Sequence, residues 1–271
     1  MSDPQLHQFD IDTLPGETGL HLGDGWNIGD KPNGGYSMAA AARSMCVHAQ
    51  LAGSAHADPV TVTTHYLRPA QTGAATVRTQ IIRTGRTFTN AIAGMEQGEP
   101  QTLRTQTMAT FGNLGEATPP IYLGTRFPDI PPPDECIDRT GPQLFVNLSS
   151  INETTEVRLH PNTGWVRGQH TGTPDTVGWI RFRDGRDPDP WALLFFADAL
   201  PPTVFELLPD RAWVPTLEMT VHVRANPAPG WILARMTSRH VANNRFEEDG
   251  ELWDSTGSLV AQSRQLAMIL T

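Results

Sequence analysis

A chain of 271 residues with 38% apolar side chains can bury a sizeable core, as one large domain or two smaller ones. A net charge of −9, with 18% charged residues and no run of Lys or Arg, argues against disorder and against nucleic-acid binding. No apolar stretch reaches the roughly 18–20 residues that span a bilayer, and the first residues lack the basic and apolar regions of a signal peptide, so a cytoplasmic protein is expected. Cys46 and Cys136 are the two cysteines; they can build neither a disulfide framework nor a zinc site.

Residues 23–32, Gly-Asp-Gly-Trp-Asn-Ile-Gly-Asp-Lys-Pro, are turn-forming. Asn33-Gly34-Gly35 then opens an alanine-rich segment, 36–51, that predicts a helix stopping at Gly53. Residues 61–68 predict a strand ending in a Pro/Gly turn at Pro69 to Gly73, and strand character returns at 77–83, 88–95 and 102–111. Seven prolines between 113 and 143 exclude helix and central strand, because proline fixes φ and removes a donor. That segment predicts a linker, or a crossing packed along a surface, and divides the chain into 1–112, 113–143 and 144–271. Beyond it, 191–200 is apolar on every side apart from Asp198. A helix without a polar face is buried all round. Strands follow at 216–224, 231–241, 246–254 and 258–270.

The two halves register on one another. His65 and His222 stand 157 positions apart, as do Gly73 and Gly230, and the same offset lays 191–200 over 34–43. An internal duplication follows: an α+β chain in which each half is one helix wrapped by several antiparallel strands.

Two polar residues stand out. Asp198 is the sole charge between Trp191 and Phe205, and a buried lone carboxylate costs several kcal/mol unless hydrogen-bonded. It reads either as a half-exposed helix end beside Pro201-Pro202 or as a general base that polarises water. On the last strand Leu259, Ala261, Ser263, Gln265, Ala267 and Ile269 share a face, so Gln265 is an amide among mostly apolar groups. It is either a satisfied core amide or a group that fixes a water. Gly35-Tyr-Ser37-Met-Ala39 loosely matches a nucleophile elbow, but the strand that motif requires is missing before it.

Asn33-Gly-Gly35, His65-Tyr-Leu-Arg-Pro69, Ala197-Asp-Ala-Leu-Pro-Pro202, Val214-Pro-Thr-Leu-Glu218 and Leu259-Val-Ala-Gln-Ser-Arg-Gln265 follow one another in an order that resembles the TesB-like, type II acyl-CoA thioesterases. The resemblance runs from Phe9 to Leu270. It implies two tandem hotdog domains and hydrolysis of an acyl-CoA thioester by a water held between Asp198, Thr216 and Gln265, with no metal or redox cofactor. Thr216 rests on the resemblance alone. By alternation it shares a face with Glu218, Thr220 and His222 that looks solvent-exposed, and it turns inward only through a bulge.

Subtracting 157 places Asp198 on Ala41, Thr216 on Pro59 and Gln265 on Met108, none of which polarises water, so one site per chain is expected. The N–H groups of Gly34 and Gly35 are candidates for an oxyanion hole, or the glycines simply turn the chain. Arg68, Arg83 and Arg86 are candidate contacts for the phosphates of coenzyme A. Open sheet edges suit a homodimer. Two other readings are an enoyl-thioester hydratase or dehydratase, which needs a histidine beside an acid, and a non-catalytic acyl-thioester binder.

Overall fold

A computed structural model describes residues 7–16, 19–140, 149–208 and 213–270. In the first half α1 (Gln8–Thr13), β1 (Leu20–Leu22) and the two-residue strands β2 (Asn27–Ile28) and β3 (Lys31–Pro32) lead into the long helix α2 (Gly34–Leu51). Four antiparallel strands follow: β4 (Asp58–Tyr66), β5 (Gly73–Thr84), β6 (Thr89–Gln97) and β7 (Thr102–Gly112). The second half contains β8 (Ile137–Asp138), α3 (Ile151–Thr154), β9 (Thr155–Leu159), β10 (Asp175–Phe182) and the short helix α4 (Pro190–Phe196). It closes with β11 (Thr216–Val223), β12 (Ile232–Thr237), β13 (Val241–Ala242), β14 (Arg245–Trp253) and β15 (Leu259–Met268).

All but β2 and β3 join one antiparallel sheet in the order β1-β5-β6-β7-β4-β11-β15-β14-β12-β10-β9-β8, with β13 beside β14. The sheet wraps α2 and α4, which pack on each other. This is the α+β tandem hotdog expected from the sequence.

The halves meet where β4 pairs with β11. There Thr63 Oγ1 and Thr220 Oγ1 share a hydrogen bond of 2.9 Å. Two residues related by the offset of 157 therefore sit on the local two-fold axis. Both strands carry a bulge at the equivalent point, between Pro59 and Thr61 in β4 and between Thr216 and Glu218 in β11. The neighbouring strands slip by one. Val62 faces Ala109 and Met219 faces Gln265, so the counterpart of Gln265 is Ala109, not Met108.

Helix starts follow the sequence. Asn33 caps α2, its Oδ1 accepting from Tyr36 N at 2.9 Å. Asp189 caps α4, its Oδ1 accepting from Ala192 N at 2.7 Å, with Pro190 opening the helix; both are favoured placements. Asp189 also pairs with Arg186. Asp189→Ala is expected to lower stability by about 1–2 kcal/mol, measured by urea denaturation.

All seven residues of α4 are buried, as its unbroken apolar surface predicts, and Ala39 to Ala42 let α2 lie close. The expected helix over 191–200 is shorter than predicted and stops at Phe196. Pro201 has no N–H to continue it, and its ring would meet the carbonyl of Ala197. Asp198 thus lies in a tight turn past the helix end.

The proline-rich crossing packs along the outside of the second half. Asn226 N donates to Gly115 O at 2.9 Å, Trp179 Nε1 donates to Pro131 O at 2.9 Å, and Phe127 contacts the rings of Trp179 and Trp253. Its last part departs from a pure linker, because Ile137–Asp138 pairs with β9 and joins the sheet. The boundary expected at 143/144 lies outside the described residues. Among the described residues no helix is long and apolar enough to cross a membrane.

Candidate functional site

A cavity of about 400 Å³ opens between the halves, lined by the start of α2, the end of β4, the turn after α4, and β11, β14 and β15. Asp198, Thr216 and Gln265 all line it.

Asp198 is held by the first half of the chain. Its Oδ2 accepts from Gly35 N at 2.9 Å and from Asn33 Nδ2 at 3.0 Å, and the same Asn33 amide donates to Asp198 O at 2.8 Å. Oδ1 takes no protein donor among the described residues. Burial pushes the Asp198 carboxyl up to about 7; the hydrogen bond from Gly35 opposes this, the charge of Glu248 adds to it, and the Asn33 amide and Gly34 N–H oppose it again. A carboxyl with that affinity is divided between acid and base near neutrality.

Of the two donors expected for an oxyanion hole, the Gly35 N–H is occupied by the Asp198 carboxylate. These glycines are not needed for φ, since neither has a positive value. They are needed for space. A Cβ on Gly34 would stand 2.8 Å from Asp198 Oδ2, and one on Gly35 would stand 2.8 Å from the carbonyl oxygens of Leu194 and Phe195. The N-terminus of α2 abuts the C-terminal end of α4, which brings a helix N-terminus onto the carboxylate. Tyr66 completes the turn by donating to Gly34 O at 2.9 Å; burial, with Asp198 and Glu218 nearby, holds its phenol protonated.

On the facing wall the bulge in β11 turns Thr216 inward, so that its Oγ1 donates to Gln265 Oε1 at 2.7 Å. Gln265 Nε2 donates in turn to Glu248 Oε1 at 2.7 Å, and Glu248 Oε2 accepts from Thr203 N at 2.8 Å. Glu248 stands opposite Gln265 in the β14–β15 register and is buried, which raises its carboxyl. The line Glu248–Gln265–Thr216 fixes which end of the Gln265 amide faces Thr216. Sequence reasoning missed Glu248, although the signal was present: Phe246, Glu248, Gly250 and Leu252 alternate onto one face, and Glu248 is its sole charge.

The arginine candidates separate. Arg68 lines the cavity, its Nη1 donating to Leu103 O at 3.2 Å, and Lys31 lines it too. Arg83 and Arg86 do not line the cavity. They lie at the β5–β6 turn, next to Thr89, which pairs with Phe111 and through it with Pro59 at the start of β4. Tyr66, at the cavity, ends that strand, about 23 Å from Pro59 at 3.3 Å per residue. Ser37 Oγ donates to Asn33 O at 3.0 Å, as a satisfied helix hydroxyl does. No histidine lines the cavity among the described residues.

Family models describe what this arrangement belongs to. An acyl-CoA thioesterase N-terminal domain matches residues 22–112, and an acyl-CoA thioesterase C-terminal domain matches residues 129–269. The chain belongs to the acyl-CoA thioesterase family. This thioesterase is also similar to a Thermobifida fusca protein assigned as a thioesterase II, with 33% identity, a TM-score of 0.84 and 99% of each chain covered. A hot dog protein of unknown function from Alicyclobacillus acidocaldarius shares the fold at a TM-score of 0.82 and 21% identity, over 98% of this chain and 99% of that one. An uncharacterized protein of Mycobacterium tuberculosis is 28% identical over 281 aligned residues, 96% of this chain and 94% of its own. The thioesterase is thus a thioester hydrolase of the TesB-like, tandem hotdog kind.

Proposed function

We propose that this thioesterase hydrolyses acyl-CoA to a free acid and coenzyme A by activating one water between Asp198 and the Thr216–Gln265 pair. The observation that carries the reading is the unequal state of the two carboxyls that line the cavity, Asp198 and Glu248. Both oxygens of Glu248 are occupied by Gln265 and Thr203, whereas Asp198 keeps Oδ1 without a protein donor. Glu248 is therefore spent on orientation, and Asp198 is available for proton transfer.

Asp198 Oδ1 takes a proton from the water as its oxygen attacks the thioester carbonyl carbon. The water's other hydrogen is accepted by Gln265 Oε1 or Thr216 Oγ1, which holds it in line. The tetrahedral intermediate collapses by breaking the C–S bond, and the departing thiolate recovers the proton from Asp198, restoring the carboxylate. Gly34 and Gly35 hold the base, and Arg68 and Lys31 on the cavity lining meet the phosphates of coenzyme A. A hydratase is disfavoured because, among the described residues, the cavity is lined by no histidine of the kind that enoyl chemistry pairs with an acid.

The test is release of free thiol from a panel of acyl-CoAs as a function of pH. With Asp198 acting as its ionised form, kcat/KM rises with pH through a limb near 7 and then levels. In Glu248→Gln the limb moves to lower pH, because removing that charge favours the ionised form of Asp198. No thiol release from any acyl-CoA would leave the non-catalytic binder standing. A limb unmoved in Glu248→Gln would deny Glu248 its influence on Asp198.

A further inference from the structure

Trp213 is an aromatic of the cavity that neither the fold nor the reaction accounts for. It lines the cavity just before β11 and is 47% exposed. Trp165 and Phe205, on the same lining, cover one another edge to face at 5.3 Å. An indole left half in water on the wall of a cleft marks a surface that a ligand covers. Its backbone is already fixed. Trp213 O accepts from Leu270 N at 2.9 Å, Pro215 O accepts from Met268 N at 2.9 Å, and Pro215 keeps Val214 extended. A platform held in this way needs no ordering when a ligand arrives.

The strand register places Trp213 on the side of the cavity that carries exposed positive charge. β4 and β11 are antiparallel, with Glu218 opposite His65. The chain entering β11, 213–215, therefore runs beside the chain leaving β4, 67–69, and all six residues line the cavity. The protein has a net charge of −9, yet Arg68 is exposed here and forms no ion pair among the described residues, and Lys31 lines the cavity too. Of the cavity's two carboxyls, Glu248 is 4% exposed and Asp198 is held by Asn33 and Gly35. Arg139, also on the lining, is 5% exposed and its Nη1 donates to Ala199 O at 2.7 Å, which makes it a brace for the turn beside Asp198.

A ligand that brings a neutral thioester to Asp198 and keeps its anionic end with Arg68 and Lys31 thus has Trp213 beside that anionic end. In coenzyme A the end that bears the phosphates also bears a purine. A purine has two apolar faces and a hydrogen-bonding edge, so it stacks on an indole while its edge stays in water. An acyl chain laid on a half-exposed indole would keep much of its own surface wet.

We infer that the indole of Trp213 is the stacking platform for the adenine base of coenzyme A, next to the phosphate contacts of Arg68 and Lys31. The inference rests on the thioester-hydrolase reading for the identity of the ligand, but it concerns the nucleotide and not the reacting carbonyl.

The experiment compares ligands that differ in the nucleotide. In the first arm, kcat/KM is measured by thiol release for hexanoyl-CoA and hexanoyl-pantetheine, in the wild type and in Trp213→Leu and Trp213→Phe. Base–aromatic stacking predicts that the ratio of the two falls by about 5-fold to 100-fold in Trp213→Leu, and that Trp213→Phe retains part of it. If Trp213 only supports the start of β11, or touches the acyl or pantetheine part, both thioesters fall together and the ratio stays, which overturns the inference. In the second arm, calorimetry measures binding of coenzyme A and pantetheine to the same three proteins and needs no turnover. Coenzyme A is expected to bind the wild type more tightly than pantetheine does, with the advantage reduced in Trp213→Leu. Equal binding of the two ligands by the wild type, or an advantage unchanged in Trp213→Leu, removes the platform. Binding of coenzyme A that depends on Trp213, without thiol release from either thioester, would overturn the hydrolase reading and leave the nucleotide platform intact.

Discussion

Asp198→Asn is expected to lower kcat for acyl-CoA hydrolysis by about 10³-fold, within the range that general-base catalysis contributes, while KM changes little. Asparagine keeps the shape and still accepts from Gly35 N through its side-chain oxygen, so the turn after α4 is preserved and substrate is still bound. What is lost is, among the described residues, the one cavity carboxyl with an oxygen left for water. The stability consequence has the opposite sign. Burial raises the Asp198 carboxyl from its ordinary value near 3.8 to about 7, so the folded state holds this proton more tightly than the unfolded chain. The resulting stabilisation is full below pH 4 and is lost as pH rises through about 7. The asparagine variant lacks that loss, so its thermal midpoint should gain on the wild type between pH 4 and 8. Steady-state kinetics and thermal melts across that range check both halves. Hydrolysis at the wild-type rate would remove Asp198 from the mechanism.

Gly35→Ala carries the largest expected effect on the fold at this site. The added Cβ would lie 2.8 Å from two main-chain carbonyl oxygens of α4 and 2.9 Å from Asp198 Cβ. Neither carbonyl can swing aside as a side chain would, so the two helices must separate. Overpacking of this kind costs about 1–3 kcal/mol. The same shift draws Gly35 N away from Asp198, so kcat should fall as well, by about 10-fold or more for the loss of one charge-assisted hydrogen bond. Gly115→Ala is the control: its Cβ meets nothing within 4 Å and its φ is ordinary, so less than about 0.5 kcal/mol is expected. Urea denaturation of the two variants separates them, and equal stability would show that the α2–α4 approach is not the constraint at Gly35.

Features set by near neighbours along the chain were legible before any coordinates. The helix start at Asn33, the buried character of α4, the inward face of Gln265 and the absence of long helix or strand from most of the proline-rich crossing all follow from local pattern and propensity. So did the repeat, since the offset of 157 that joins His65 to His222 also joins Thr63 to Thr220 on the two-fold axis. Where local reasoning failed, a distant part of the chain or a single added residue intervened. Alternation placed Thr216 on the solvent face until the bulge before Glu218 shifted the parity by one.

The amino-acid sequence by itself determined two helix-plus-sheet repeats, their order, and the one polar residue that the apolar second helix segment could not absorb. Tertiary structure alone decided what that residue meets. Asn33 and Gly35 reach Asp198 across more than 160 positions, Glu248 reaches Gln265 across a strand pair, and Arg139 arrives on the wall from the crossing segment. Periodicity and capping are carried by residues within a turn of one another, whereas the affinity of a carboxyl for its proton is set by burial and by charges that only the packed sheet brings together.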